Sequence, residues 1–476
     1  MTTSAAAART TDGAAQRHLN ALTGMRLVAA LAVWASHVGA PAGTPEWLVR
    51  LMSTGYVGVT FFFVLSGFVL TINYAEGLRT PRAVWSYLVA RLARIYPVYL
   101  AILGWTVATE WATGPVSGRV VAVHTLGLQA WSPDMDVTFA FVGPAWSISV
   151  ELFLYLTLPV LLPVVRLVTG RLATIVLALL ATAAVLVLLA WWFQHQGLGA
   201  LPASDPTSAH RWLYRTPLVR VGDFLIGILA AFVYLRVRDS LAAQRAGAWL
   251  AVTAVVFTVA TAALPGTSWS VWSWDALYAL PAAALVLGLA LAPRHPMARF
   301  LGLRPMVFLG EVSFAFYLVH VTAVHMIGVA VPAQEGLGPQ LVVRFAGLAL
   351  ALGLAVGLHI GIERPARPWV RRVLDPRPAP RPAPRRDAAA AAPAATVLPV
   401  PAAGPATVTM AAVQVPRPRA AQPPAGRPAV PVDQVVASAR AAALLKEYGG
   451  LPRPARSGRH EAPADSTETA RTLVPR

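Results

Sequence analysis

An arginine and a histidine interrupt the first long apolar run, GMRLVAALAVWASH (24–37), eleven positions apart. Eleven helical steps of about 100° end about 20° past three full turns, so Arg26 and His37 share one face, about 16 Å apart along the axis. An arginine deep in a bilayer costs about 2.5–3.5 kcal/mol on insertion scales, so it lines a cavity or meets an anion unless it snorkels from a helix end. A free imidazole titrates near neutrality, so His37 has the chemistry of a general base, whereas Arg26 stays protonated and serves only as a cation. A histidine satisfied by a neighbouring helix is the structural alternative.

Further polar residues sit in apolar surroundings. Arg91 and Arg94 lie one turn apart, and fixed guanidinium forks suit phosphates. The excess of basic residues on the cytoplasmic side of membrane proteins also accounts for them. Ser147, Glu151 and Tyr155 follow at i, i+4 and i+8, a narrow polar stripe. It suits binding of a polar substrate, a carboxylate that orients His37, a structural pair with an arginine, or a protonated glutamate bonded to a hydroxyl. Ser313, Tyr317 and His320 share another face and suit either a polar cavity wall or hydrogen bonds between helices. Ser66-Gly67 allows close approach of a ligand or of another helix. Asp223 is expected to pair with Arg220 or a neighbouring helix, and Glu363 with Arg364. His124, His195 and His210 fall in loops, where they are expected to be solvated.

Several chemistries drop out. The chain has no cysteine, which removes thiolate metal sites, disulfides and a thiol nucleophile. It has no HExxH, no His pair at i,i+4, no Walker loop and no GxGxxG, so no metal is expected. The net charge of +18 comes without a nucleic-acid recognition motif. It is read as positive-inside bias and attraction to anionic lipid, not as a nucleic-acid surface.

The elements that position these residues are membrane helices. Of 476 residues 56% are hydrophobic and only 13% charged, with mean hydropathy +0.58, too apolar for a soluble domain. Apolar windows of spanning length predict ten helices near 19–40, 53–74, 95–112, 144–165, 172–193, 218–235, 247–264, 272–291, 305–330 and 340–362. With the N-terminus inside, nineteen arginines of residues 1–375 fall on the cytoplasmic side and six outside, so both termini are predicted cytoplasmic. The stretch 120–131 is too short to cross and is predicted to be an external surface or re-entrant helix; 194–217 is the other long external loop. Residues 1–18 form a polar N-terminal tail, 19–372 the membrane domain, and 373–476 a Pro/Ala/Arg-rich tail predicted to be disordered. Within the tail, 433–448 has the pattern of a short helix capped by Asp433.

The R-x10-H spacing of the first span resembles the acyltransferase-3 family of polytopic O-acyltransferases, which includes O-antigen acetylases and macrolide sugar acylases. GYVGVTFFFVLSGFVL (55–70), RLARIYPVY (91–99), PAWSISVELFLYLTLP (144–159), VGDFLIGILA (221–230), GEVSFAFYLVH (310–320) and IERP (362–365) resemble the family's further motifs in its order, over about residues 19–372. The resemblance implies helices around a central cavity in a bacterial plasma membrane. It implies transfer of an acyl group, acetyl above all, from cytoplasmic acyl-CoA to a hydroxyl of a carbohydrate, glycolipid or glycosylated small molecule, with no tightly bound cofactor. His37, Arg26 and Glu151 are then the catalytic candidates. Arg91, Arg94 and Arg26 are the donor-binding candidates, and Ser66, Ser147, Tyr155, Tyr317 and His320 line the cavity or its acceptor side. Some relatives carry a fused C-terminal hydrolase domain. Here the tail stands in its place, with PxxP-like runs suited to a protein partner. The alternative from another class is a transporter or flippase, since polar groups at bilayer depth also mark transport paths.

Overall fold

The computed structural model describes residues 3–74, 78–266, 270–331 and 334–376, with side chains from Leu19 onward. No strand occurs among them. The helices are α1 (Thr3–Val38), α2 (Glu46–Ser53), α3 (Gly58–Tyr74), α4 (Pro81–Trp111), α5 (Gly118–Thr125), α6 (Met135–Thr138), α7 (Trp146–Arg166) and α8 (Leu172–His195). There follow α9 (Pro217–Val237), α10 (Leu241–Ala263), α11 (Ala279–Leu291), α12 (Pro296–Leu301), α13 (Arg304–Ala330), α14 (Leu337–Leu358) and α15 (Arg364–Leu374). Nine helical segments among the described residues are long and apolar enough to cross a membrane, and the protein is an all-helical, multi-pass membrane protein. The predicted helix and disordered tail beyond residue 376 lie outside the described residues.

Three expected boundaries move. α1 begins at Thr3, so the backbone of the expected N-terminal tail continues the first span. α4 starts at Pro81, fourteen residues earlier than expected, capped by the Thr80 hydroxyl, which accepts from the Ala83 amide. The arginines at 82, 91 and 94 dilute the hydropathy of these first turns without breaking the helix. The eighth span shrinks to the thirteen residues of α11, about 20 Å at 1.5 Å per residue. Residues 270–278 are turns instead, with two Trp, two Ser and Asp275. The expected short external helix at 120–131 is α5 with a 3₁₀ turn at Gln129–Trp131.

Close backbone contacts hold the helices that build the site. α3 packs on α9 through Gly67 and Gly227. A Cβ at Gly67 would lie 2.2 Å from the Phe224 carbonyl oxygen, and one at Gly227 would lie 2.0 Å from that of Val64. Such small-residue crossings let lipid-bathed helices associate where no hydrophobic drive exists between them. α13 crosses α1 in the same way at Gly310, over the Thr23 carbonyl, one turn below Arg26. At the arginine-rich end, α15 lies against the start of α4. Trp85 Nε1 donates to the Leu374 carbonyl (2.9 Å), and Arg82 pairs with Asp375 (2.8 Å).

The opposite end is closed by folded loops. Fully buried Arg220 pairs with Asp223 (2.8 Å) as expected, with Asp275 at 3.6 Å, and donates to Thr60 Oγ1 (3.1 Å) and the Tyr214 carbonyl (2.7 Å). Arg215, also fully buried, donates to Thr138 Oγ1 (2.9 Å) and so ties the 194–217 loop to the 113–143 loop. These loops bury two histidines expected to be solvated. His124 gives its Nε2–H to the Val137 carbonyl (2.7 Å), and His210 lies between Tyr214 and Trp274. Only His195 stays exposed, stacked on Trp191. Residue-by-residue polarity does not reveal how loops fold over one another.

A pH dependence follows. Burial, with the Arg215 and Arg220 charges nearby, pushes the His210 imidazole down to about 3. Burial also lowers His124. An unfolded histidine takes its proton near pH 6.5, and the folded ones do not, so their stabilisation is whole above that pH and is lost as pH falls below it. We expect the melting temperature in detergent to fall between pH 7 and 5, and His210→Phe to flatten that slope by up to about 1.4 kcal/mol per pH unit. A wild-type melting temperature constant over that range would refute it.

Candidate active site

A chamber of about 250 Å³ opens among α1, α3, α4, α7 and α13. Arg26, Ser66, Arg91, Arg94, Ser147, Glu151, Tyr155 and Tyr317 line it, with Phe62, Phe63 and Phe314 among the apolar walls. With Ser313, nine of the residues singled out by polarity and spacing thus meet from five helices. A polar group in an apolar span turns away from lipid, and the cavity is where such groups converge.

Each wall has a local cause. Pro97 follows Arg91 and Arg94 inside α4, where it removes one backbone hydrogen bond. Arg91 sits among three tyrosines, with ring centres of Tyr74, Tyr87 and Tyr155 at 5.7, 5.9 and 5.9 Å. The Tyr87 hydroxyl donates to the Tyr155 carbonyl (3.1 Å), which ties α4 to α7. Cation–π attraction therefore holds the guanidinium without neutralising it. Tyr74 and Tyr87 escaped the sequence reading, because tyrosines near membrane interfaces are common and carry no spacing signal.

The electrostatics are lopsided. Three arginines face one carboxylate, and none of Arg26, Arg91 and Arg94 has a carboxylate within 4 Å among the described residues. Glu151 accepts instead from the Tyr155 hydroxyl on its own helix. Unpaired cations in a low-dielectric chamber favour an anionic ligand. No group of three or more His, Asp or Glu placed to hold a metal occurs among the described residues.

Ser147 and Tyr317 hydrogen-bond to each other (2.8 Å), and both hydroxyls lie near the Pro144 carbonyl (3.0 and 3.1 Å). That carbonyl precedes α7, so the polar stripe on α7 is locked to α13. Ser66 faces the chamber while Gly67 packs on α9, dividing the two readings of that pair between neighbouring residues.

Three expectations need correction. His37 and His320 do not line the chamber. His37 lies beyond it on the exposed end of α1, and His320 is fully buried against it, with ring centres 5.0 Å apart. The His320 ring is 5.8 Å from that of Tyr317, which is where chamber and histidine pair adjoin. Glu151 does not orient His37, since its partner is Tyr155 and those of His37 are Val33 and His320. Glu363 pairs with His359 (2.7 Å) and Arg367, not with Arg364. A π-turn over His359–Glu363 precedes α15 and sets the side chains on either side of Glu363 one turn away.

The family model of an acyltransferase domain, type 3, matches residues 19–360. Acyltransferase MdmB of Streptomyces mycarofaciens is 30% identical over 376 residues, covering 73% of this chain and 91% of that protein. No solved structure matches this chain.

Proposed function

The chain belongs to the acyltransferase-3 family, a multi-pass membrane enzyme that transfers acyl groups, and from that premise we propose that its donor is cytoplasmic acyl-CoA and its acceptor a carbohydrate hydroxyl. The observation that carries the donor assignment is the surplus of cation in the chamber. Arg26, Arg91 and Arg94 face it without a carboxylate partner, which suits the phosphates of coenzyme A. The apolar walls from Phe62, Phe63 and Phe314 suit its pantetheine arm and a short acyl chain. The transporter alternative gives way to a family of enzymes.

In the reaction the acceptor oxygen attacks the thioester carbonyl carbon. The new C–O bond forms, the C–S bond breaks, and the coenzyme A sulfur leaves. The acceptor proton goes to His37, and a proton returns to the departing thiolate. His37 Nδ1 is 2.8 Å from the Val33 carbonyl, which only accepts, so Nδ1 carries hydrogen and Nε2 holds the lone pair for the incoming proton. The Tyr317 and Ser147 hydroxyls lie where the chamber adjoins the histidine pair, and one of them donates to a developing oxyanion by turning its hydrogen away from the Pro144 carbonyl. The acetyl group as cargo, a bacterial plasma membrane and an outward-presented sugar acceptor complete the reading.

The test is label release from acetyl-CoA by purified protein in detergent. Wild type is expected to turn over, and Arg94→Ala to raise the KM for acetyl-CoA about 10- to 100-fold through loss of a charge-assisted contact. Absence of both binding and turnover with every short acyl-CoA would overturn the donor, and an unchanged KM would remove Arg94 from its site.

A further inference from the structure

The backbone bonds of His37 and His320 fix which way the two imidazoles face each other. His320 Nδ1 lies 2.6 Å from the Tyr317 carbonyl and must donate to it, as His37 Nδ1 does to Val33. The lone pair of neutral His320 is therefore on Nε2, and that atom faces His37 Nδ1 at 3.5 Å. The rings meet edge to face, 74° apart. Phe316 stacks on the other side of His320 at 6.0 Å. The Ser36 hydroxyl, 3.5 Å from His37 Nδ1, is turned to the Val33 carbonyl at 2.7 Å. No carboxylate lies within 4 Å of either imidazole among the described residues.

We propose that His320 is a positioning residue for His37, its Nε2 lone pair sharing at 3.5 Å the one Nδ1–H that His37 also gives the Val33 carbonyl at 2.8 Å, as His37 Nε2 takes the acceptor proton. This rests on His37 being the base. At that step the acceptor O–H bond breaks, an Nε2–H bond forms, and the positive charge resides on the His37 imidazolium. His320 remains neutral and exchanges no proton with substrate. In a serine protease a buried aspartate orients the base and supports the same charge. A neutral imidazole does so inside a membrane span without burying an anion. The burial of His320 fits this division, since one histidine meets the acceptor and the other stays dry behind it.

Two variants separate the lone pair from packing. His320→Phe keeps the ring volume and loses the acceptor, whereas His320→Gln keeps an acceptor oxygen within reach. With purified full-length protein and labelled acetyl-CoA, kcat is expected to fall about 10- to 100-fold in His320→Phe, with KM for acetyl-CoA held within about twofold and most of kcat regained in His320→Gln. In a His37→Ala background, His320→Phe is expected to add no further loss, because its effect runs through His37. Equal losses in both variants, or a further loss in that background, would overturn the positioning role. If His320→Phe fails to fold, His320→Gln decides alone: near-wild-type kcat supports the role, and activity as low as that of His37→Ala overturns it. Full activity of His37→Ala would instead sink the base itself, so the two failures are told apart.

Discussion

Replacing His37 with alanine is expected to lower acyl transfer about 10²- to 10⁴-fold, the range for loss of a positioned general base. The size follows from geometry. His37 sits on the exposed end of α1, and its Nε2 is the nitrogen left free by the bond from Nδ1 to Val33. The chamber lies on the other side of Tyr317 and does not include it. Binding of acetyl-CoA, measured by calorimetry or fluorescence, is therefore expected to stay within about threefold of wild type while turnover collapses, the pattern of a group that acts only in the transition state. A matching loss of binding would place His37 in the donor site, and retained turnover would remove it from the chemistry.

The second large effect concerns stability. Arg220→Ala is expected to cost about 3–5 kcal/mol, because it strands the buried Asp223 carboxylate without its cation. Arg220 joins α9 to Thr60 on α3, to the Tyr214 carbonyl and toward Asp275 in the 270–278 turns, so one substitution loosens three segments. Thermal unfolding in detergent should show a melting temperature lower by several degrees. The double variant Arg220→Met with Asp223→Leu should regain part of the loss, since it removes the charges of that pair together and leaves Asp275 as the one carboxylate without its cation. A double variant no more stable than Arg220→Ala would show that the hydrogen bonds, not the unpaired charge, carry the effect.

Much of the chamber could be read from sequence because polar residues inside apolar spans stand out against their surroundings, and helical spacing tells which of them share a face. Arg26, Arg91, Arg94, Glu151 and Tyr155 were visible in that way. The meeting of His37 with His320 was not, since it joins residues 283 apart on helices whose crossing depends on Gly310 and Thr23. Nor were Tyr74 and Tyr87 around Arg91, which look like ordinary interfacial aromatics. The early start of α4 and the short α11 escaped because hydropathy windows see apolar content and not helix ends. The Thr80 cap and the turns at 270–278 set those ends instead.

The α3 wall carries a lesson for engineering. Ser66 points into the chamber and its neighbour Gly67 presses on the α9 backbone, with no room for even a methyl group. Adjacent codons thus have opposite tolerances. A library aimed at acyl-chain preference can vary Ser66, Phe62 and Val69, which share the chamber face, and must leave Gly67 alone, because a change there alters how two helices dock before it alters what they hold.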